Sequence, residues 1–241
     1  MVKITPTIKY LGLLLDRRWK FTEHFNYVEG KVASVTRALC AIMPNLKGPC
    51  EKQRRLYAHV ICSIINYGAP IWSPETSDKK IREKLRRMQR VIAIRVIAGY
   101  RTISTDAALI LARVIPTDIH AAYFRRVFLR VHDLKRQELW KKSEEKDIKE
   151  DEEILLKRQW QITLQRQDVA GARTCLAIAP HLNQWLIRNH GELTFHMTQL
   201  LSGHDSPNIK HIKHEHTMTF IRVQGGIHME GGWEGEGVVW G

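Results

Sequence analysis

The chain has 241 residues, 44% of them apolar, which is enough for one large or two small domains with a buried core and excludes disorder throughout. Its formal charge is +13, and the excess lies in one part: residues 1–140 carry 26 Lys and Arg against 11 Asp and Glu, whereas residues 141–241 carry 12 against 14. Such a balance points to an anionic partner, of which nucleic acid is the commonest. Cys40, Cys50, Cys62 and Cys175 form no CxxC pair and no regular spacing, so free thiols in a reducing compartment are expected rather than a disulfide framework or a zinc ribbon. No apolar run approaches the ~18 residues of a membrane span, and the N-terminus lacks the apolar segment of a signal peptide. The expectation is an intracellular protein of the nucleus or cytoplasm, not secreted and without a membrane partner.

In chain order, the stretch Ile8 to Phe21, IKYLGLLLDRRWKF, reads as a strand running into a turn and a basic loop, with almost nothing before it to pair with. Exposed apolar surface is therefore expected around Leu11, Leu13 and Leu15. Gly12 marks either a bulge or the close approach of a second backbone. Apolar residues at helical spacing then run from Phe25 to Met43 (Phe25, Val28, Val32, Val35, Leu39, Ile42), up to the breakers Pro44 and Lys47-Gly48-Pro49. A second helix over Glu51 to Tyr67 carries Leu56, Val60, Ile61, Ile64 and Ile65, and its short connection predicts antiparallel packing on the first.

The third helix, DKKIREKLRRMQRVIAIRVIAG, is capped by Ser77 or Asp78 and closes at Gly99 as the C′ residue. Ile81, Leu85, Met88 and Ile92 make its apolar stripe. Arg82, Arg86 and Arg90 stand four apart, with Lys79, Lys80, Lys84 and Arg87 beside them. Like charges at this spacing weaken an isolated helix by ~0.2–0.5 kcal/mol per pair, a cost removed when a polyanion faces them. Arg101, Arg125, Arg126 and Arg130 extend the basic inventory, and contacts of this kind give affinity for phosphates without sequence readout. An ordinary solvated surface, a membrane surface or a calmodulin-like partner are the other readings of such a helix.

A fourth helix is expected from Thr105 or Asp106 to Val114, before Ile115-Pro116. A fifth is capped by Thr117 or Asp118 and extends through His120, Phe124, Phe128 and Leu134 to Trp140. Residues 141–158 are mostly charged and read as a solvated helix or linker. A second small helical unit takes Trp160, Ile162, Leu164, Trp185, Leu186, Leu193, Phe195, Met197, Leu200 and Leu201 as core. The glycine-rich end, within 205–241, reads as a disordered tail.

Two-metal polymerase or nuclease chemistry needs carboxylates held close together, and residues 1–50 offer only Asp16, Glu23 and Glu29, in no paired arrangement. There is no P-loop and no GxSxG elbow, and Ser63 and Ser104 have no recognisable triad partners. His204, His211, His214 and His216 cluster within thirteen residues. Without cysteine or a helix to aim the rings they read as solvated histidines, so no metal or cofactor is expected in this chain and no catalytic residue is assigned.

The ordered matches YLGLLLD–RRWKFTEHF, LRRMQRVIAIRVIAGYRTISTDAALILARVIP and HGELTFHMTQLLSGH resemble the C-terminal third of reverse transcriptases of non-LTR retrotransposons, of the jockey-like kind of insects. The resemblance covers about residues 4–204. It implies a mainly α fold: a helical bundle like a polymerase thumb, preceded by a short β segment and followed by the small helical unit. The implied divisions are 1–21, the remnant of a palm and primer-grip segment; 22–140, the thumb; 141–158, a charged linker or helix; 159–204, the small unit; and 205–241, an irregular or disordered tail. Tyr10, Leu11, Gly12 and Asp16 match the YLG-x-x-LD segment near the primer terminus, and Gly99 to Thr105 match the YRT-x-S element. Lys79, Lys80, Arg82, Lys84, Arg86, Arg87, Arg90 and Arg101 would ride on an RNA–DNA template–primer duplex. The family's Tyr-x-Asp-Asp motif, palm, fingers and Cys/His knuckle have no counterpart here, so the expectation is a fragment, from a decayed element or a cut gene, that does not polymerise alone and whose parent would use Mg²⁺. The competing class is a small basic helical protein that binds an acidic partner or membrane surface.

Overall fold

The computed structural model describes residues 6–203 apart from 47, 168, 169 and 190. The tail expected over 205–241 and the histidines 204, 211, 214 and 216 lie outside the described residues. The fold is mainly helical, as expected, with one two-stranded sheet among the described residues.

The opening stretch finds its partner in itself. β1 (Thr7–Tyr10) and β2 (Leu13–Asp16) are antiparallel, with Tyr10 opposite Leu13 and Thr7 opposite Asp16. The link is Leu11-Gly12, at φ 44° and 83°, the positive pair that a two-residue type I′ hairpin turn requires. Gly12 is thus a hairpin turn rather than a bulge. The expected apolar exposure holds for Leu11, at 73%, but not for Leu13, which is buried, or Leu15, which packs against the core. Alternation along β2 aims Leu13 and Leu15 inward together.

Asp16 ends the hairpin by holding the loop after it. Oδ1 accepts from the backbone N–H groups of Arg18 (2.8 Å) and Lys20 (3.2 Å), and Oδ2 accepts from that of Phe21 (2.7 Å). Burial would raise its pKa, but these bonds outweigh that effect and hold the carboxyl below its ordinary value. Phe21 is thereby set into the core beside Phe25 and Trp72.

α1 (Thr22–Ala41) and α2 (Glu51–Asn66) follow, and α2 leads through Gly68 into the short α3 (Ala69–Trp72). On α2 the buried face is Arg54, Ala58, Ile61 and Ile65, whereas Leu56 and Val60 are exposed. Arg54 enters the core because every arm of its guanidinium meets a carbonyl: Nε that of Pro49, Nη1 that of Arg95 and Nη2 that of Pro44.

α4 (Lys79–Val96) is the axis of the bundle and touches α1, α2, α5 and α6. Its N-cap is Asp78, whose side chain accepts from the Lys80 N–H at 2.7 Å. At its end Ala98, not Gly99, takes the left-handed position (φ 49°), while Ala98 N–H bonds the Arg95 carbonyl and Gly99 N–H that of Ile94. This is the Schellman pattern. Arg113 (φ 56°) closes α5 (Thr105–Leu111) in the same way, and Glu138 (φ 60°) closes α6 (Thr117–Arg136). Both helices stop earlier than periodicity predicts, because these non-glycine residues carry no sequence mark of a stop.

α7 (Lys142–Leu164) takes the helical of the two readings for 141–158, but it is not wholly solvated. Ile148, Glu152, Leu156, Trp160 and Leu164, four apart, form a buried face packed on α6. The helix runs through the 158/159 division without a break. α8 (Ala172–Ile178), α9 (Leu182–Ile187) and α10 (Phe195–Ser202) make the second small helical unit and share one continuous core with the first part. Of its expected core, Trp160, Leu164, Trp185, Leu193 and Leu201 are buried and Ile162 is exposed.

Asp16→Ala is expected to destabilise the fold by about 1–2 kcal/mol, the usual effect of losing a side-chain acceptor for clustered backbone N–H groups. Because the folded pKa is depressed, this contribution is present above the ordinary carboxyl value of 3.8 and fades as pH falls through the folded pKa. Urea denaturation of both proteins at pH 7 and pH 3 measures it.

Candidate nucleic-acid interface

The predicted basic residues divide according to the face of α4 that bears them. Arg82, Arg86 and Arg90 point into the protein. Arg86 Nε and Nη2 donate to the two carboxylate oxygens of Asp118 at 2.9 Å each, and Nη1 donates to Asp106 at 3.0 Å. The planar fork of arginine matches two carboxylate oxygens at once, which joins α4 to the first turns of α5 and α6. Burial alone would lower its pKa, but the bonds to Asp118 and the charge of Asp106 raise it. Arg90 Nη2 donates to the carbonyls of Ile103 (2.8 Å) and Arg101. Arg82 Nη1 donates to the carbonyl of Thr76 at 2.9 Å.

The cost expected of like charges four apart is thus offset by internal acceptors, with no polyanion required. Arg125, Arg126 and Arg130 are engaged too. Arg125 reaches the Pro70 carbonyl (2.7 Å), and Arg126 and Arg130 share the buried carboxylate of Glu152 on α7.

The cations left to solvent are fewer. Of the eight cations predicted for this interface, Lys80, Arg87 and Arg101 have exposed side chains that make no hydrogen bond or ion pair. Lys79 has only an exposed pair with Glu83 at 3.8 Å, and Lys84 bonds Glu29 (2.8 Å) and Asn26 (2.5 Å) on α1. Lys80, Lys84 and Arg87 stand at i, i+4 and i+7 on the side of α4 that meets α1. Arg87 and Arg37 border an apolar groove floored by Val32, Met88 and Val91.

The primer-grip-like residues are brought together at the hairpin. Tyr10 and Leu11 are exposed, the Leu11 carbonyl accepts from the Tyr67 hydroxyl at 2.8 Å, and a Cβ at Gly12 would stand 3.1 Å from the Tyr67 ring. Asp16 lies at the opposite end with its carboxylate committed to backbone N–H groups. In the YRT-x-S element Ile103 is buried and Ser104 caps α5 by accepting from the Ala107 N–H at 3.3 Å.

Sequence reasoning missed two buried polar centres. Gln89 bridges Ile115 and Thr117, donating to the carbonyl of one (2.9 Å) and accepting from the N–H of the other (2.7 Å). Glu51 accepts from Arg113 (2.7 Å), Arg188 (3.2 Å) and the Leu193 N–H (2.8 Å), which ties α2 to the C-terminal unit. Burial raises the pKa of Glu51, but the Arg188 charge, the Leu193 N–H and Arg113 together hold it below the ordinary value. Its first-turn place beside Arg54 and Arg55 was the available signal. The partners, 62 and 137 residues away, were not visible.

Among curated proteins the chain is similar to the Retrovirus-related Pol polyprotein from type-1 retrotransposable element R1 of Bradysia coprophila, with 27% identity over 115 residues, 47% of this chain and 12% of that protein. It is also similar to the putative 115 kDa protein in type-1 retrotransposable element R1DM of Drosophila melanogaster, with 26% identity over 114 residues, 47% of this chain and 11% of that protein. The R1 Pol polyprotein of Nasonia vitripennis is 23% identical over 212 residues, 83% of this chain and 60% of that protein. The chain therefore spans about a tenth of the length of the first two relatives. No protein-family profile and no solved structure matches it. The similarity supports a retrotransposon-related origin.

Arg86→Gln is expected to destabilise the fold by about 2–4 kcal/mol, because it strands two carboxylates, whereas Lys80→Gln should stay within about 0.5 kcal/mol of the parent. Equal effects in chemical denaturation would contradict this division of the helix. Glu51→Gln should cost stability at neutral pH. With the folded pKa depressed, its deficit relative to the parent should persist above the ordinary value of 4.5 and shrink as pH falls through the folded pKa. A pH series of urea midpoints checks it.

Proposed function

We propose that this chain is the thumb and adjoining C-terminal part of a retroelement reverse transcriptase of jockey-like kind, and that it grips an RNA–DNA template–primer duplex by backbone charge and shape. The observation that carries the reading is the similarity to R1 Pol polyproteins over as many as 212 residues, which takes in the basic helical part. The exposed cations Lys80, Arg87 and Arg101, with Lys79 and Lys84 weakly held beside them, are the groups through which it would meet phosphates. Arg82, Arg86 and Arg90 act in this reading as the frame that presents those cations.

Polymerisation would belong to the palm and fingers of the parent protein, with Mg²⁺ bound there. The exposed apolar tip of Ile8, Tyr10 and Leu11 is the edge such a neighbour would cover. A nuclear or cytoplasmic setting accompanies this reading.

Fluorescence anisotropy with an RNA–DNA hybrid tests it. Affinity should fall linearly in log[salt], and the triple variant Lys80→Gln, Arg87→Gln, Arg101→Gln should flatten the slope by about 2 to 3, close to 0.9 per lost phosphate contact. A hybrid affinity indifferent to salt and to these substitutions would sink the proposal in favour of an acidic protein partner or membrane surface. Primer extension by the purified chain should yield nothing, and template-dependent synthesis would overturn the division of labour.

A further inference from the structure

A pocket of about 270 Å³ lies between α2 and α6. α2 lines it with His59, Cys62, Ser63 and Asn66, at i, i+3, i+4 and i+7 on one face. α6 adds His120 and Phe124, and Arg113 with its two successors closes the end. No carboxylate is among the lining residues. The polar groups are two imidazoles, a hydroxyl, an amide and a guanidinium, all able to donate hydrogen bonds.

The surroundings carry an excess of positive charge. Arg55, Arg113 and Arg188 gather around one carboxylate, Glu51, and each guanidinium acts electrostatically on another of the set. The Arg113 side chain is only 7% exposed, and among the described residues its Nε has no hydrogen-bond partner, nor has Nε of Arg55 or Oδ1 of Asn66. Arg113 also holds a left-handed backbone (φ 56°), which costs an L-residue roughly 1–2 kcal/mol, so its side chain occupies a place where glycine would be easier. The ionisable neighbours stay uncharged beside these cations. Burial pushes the Cys62 thiol up to about 11, burial and then Arg55 lower His59, and burial and then His59 lower His120 to about 4.

We propose that this pocket is a binding site for a tetrahedral oxyanion, a phosphate or phosphoryl group, held by His59, Ser63, Asn66 and His120 above the Arg55, Arg113 and Arg188 cluster. The anion adds the negative charge that Glu51 alone does not supply, beside an Arg113 guanidinium whose burial leaves it less screened by water than a surface cation. Ser63 now donates to the carbonyl of His59 at 2.8 Å, and rotation of its hydroxyl turns that donor toward the pocket. Asn66 Nδ2 donates to His120 Nδ1 at 3.4 Å, which leaves its second N–H and the Nε2–H of the neutral His120 ring as the donors available to a bound anion. The same chemistry is presented by free inorganic phosphate and by the phosphodiester of a nucleic-acid strand. The proposal does not rest on the template–primer reading, since it uses none of the same side chains.

The test follows the imidazole resonances of the full 241-residue chain, labelled on histidine, during titration with sodium phosphate at constant ionic strength and pH 7.5. Saturable shifts at His59 and His120 are expected, and the double variant His59→Gln, Ser63→Ala, at two exposed positions, should weaken binding about tenfold, as for loss of a hydrogen bond to a charged group. A short single-stranded oligonucleotide forms the second arm. Saturation by inorganic phosphate assigns the site to the free anion, and saturation by the oligonucleotide alone assigns it to backbone phosphodiester. Shifts reproduced by sodium chloride, shifts unaltered in the variant, or none with either ligand overturn the proposal.

Discussion

The fold depends on Arg86 standing between Asp106 and Asp118. One guanidinium on the central helix meets carboxylates in the first turns of two others, so the same ion cluster sets where α5 and α6 begin relative to α4. Carboxylates there also face the positive ends of their helices. Hydrophobic burial supplies most of the folding free energy, but it does not choose among near-equivalent packings. A bidentate bond with two acceptors does, since a shift by one turn would strand all three charges.

Arg54, Arg90 and Arg125 repeat the device with carbonyl acceptors. Each reaches carbonyls in a loop or at a helix end, where the backbone leaves acceptor capacity unused. Lysine could not replace Arg54, because an ammonium on a flexible stem lacks the fixed fork whose Nε, Nη1 and Nη2 reach three acceptors at once. Much of the positive charge in residues 1–140 is therefore structural. The acidic run on α7 completes this neutralisation, with Glu152 buried between Arg126 and Arg130.

Cations that remain outside are consequently held on a rigid support. Lys80 and Arg87 rise from a helix whose other faces are packed, and Arg101 sits in a turn whose own carbonyl is clasped by Arg90. Fixing the backbone beneath an exposed charge lowers the ordering cost of binding an extended anion. The pocket beside Arg113 has different chemistry: short-range donors next to a buried guanidinium rather than long cations on a helix face.

What the sequence by itself determined was the mainly helical class, the placement of α1, α2 and α4, a cap at Ser77 or Asp78 that the structure assigns to Asp78, and the apolar stripe through Leu85, Met88 and Ile92. These follow from 3.6-residue periodicity and local capping chemistry, which act within a turn or two of chain. The hairpin at Leu11-Gly12 was legible in part: Gly12 signalled a special backbone, but a leucine in the left-handed region gives no warning. Helix ends at Ala98, Arg113 and Glu138 escaped for the same reason. Only the tertiary structure decided which arginines face solvent, because a basic stripe on a helix reads identically whether phosphates or Asp106 and Asp118 lie opposite. The Glu51 cluster was likewise invisible, since charges more than a hundred residues apart in sequence come within 3.2 Å only when the C-terminal unit docks. Long-range partners carry no local periodicity, and that is the physical limit of reading this chain by pattern.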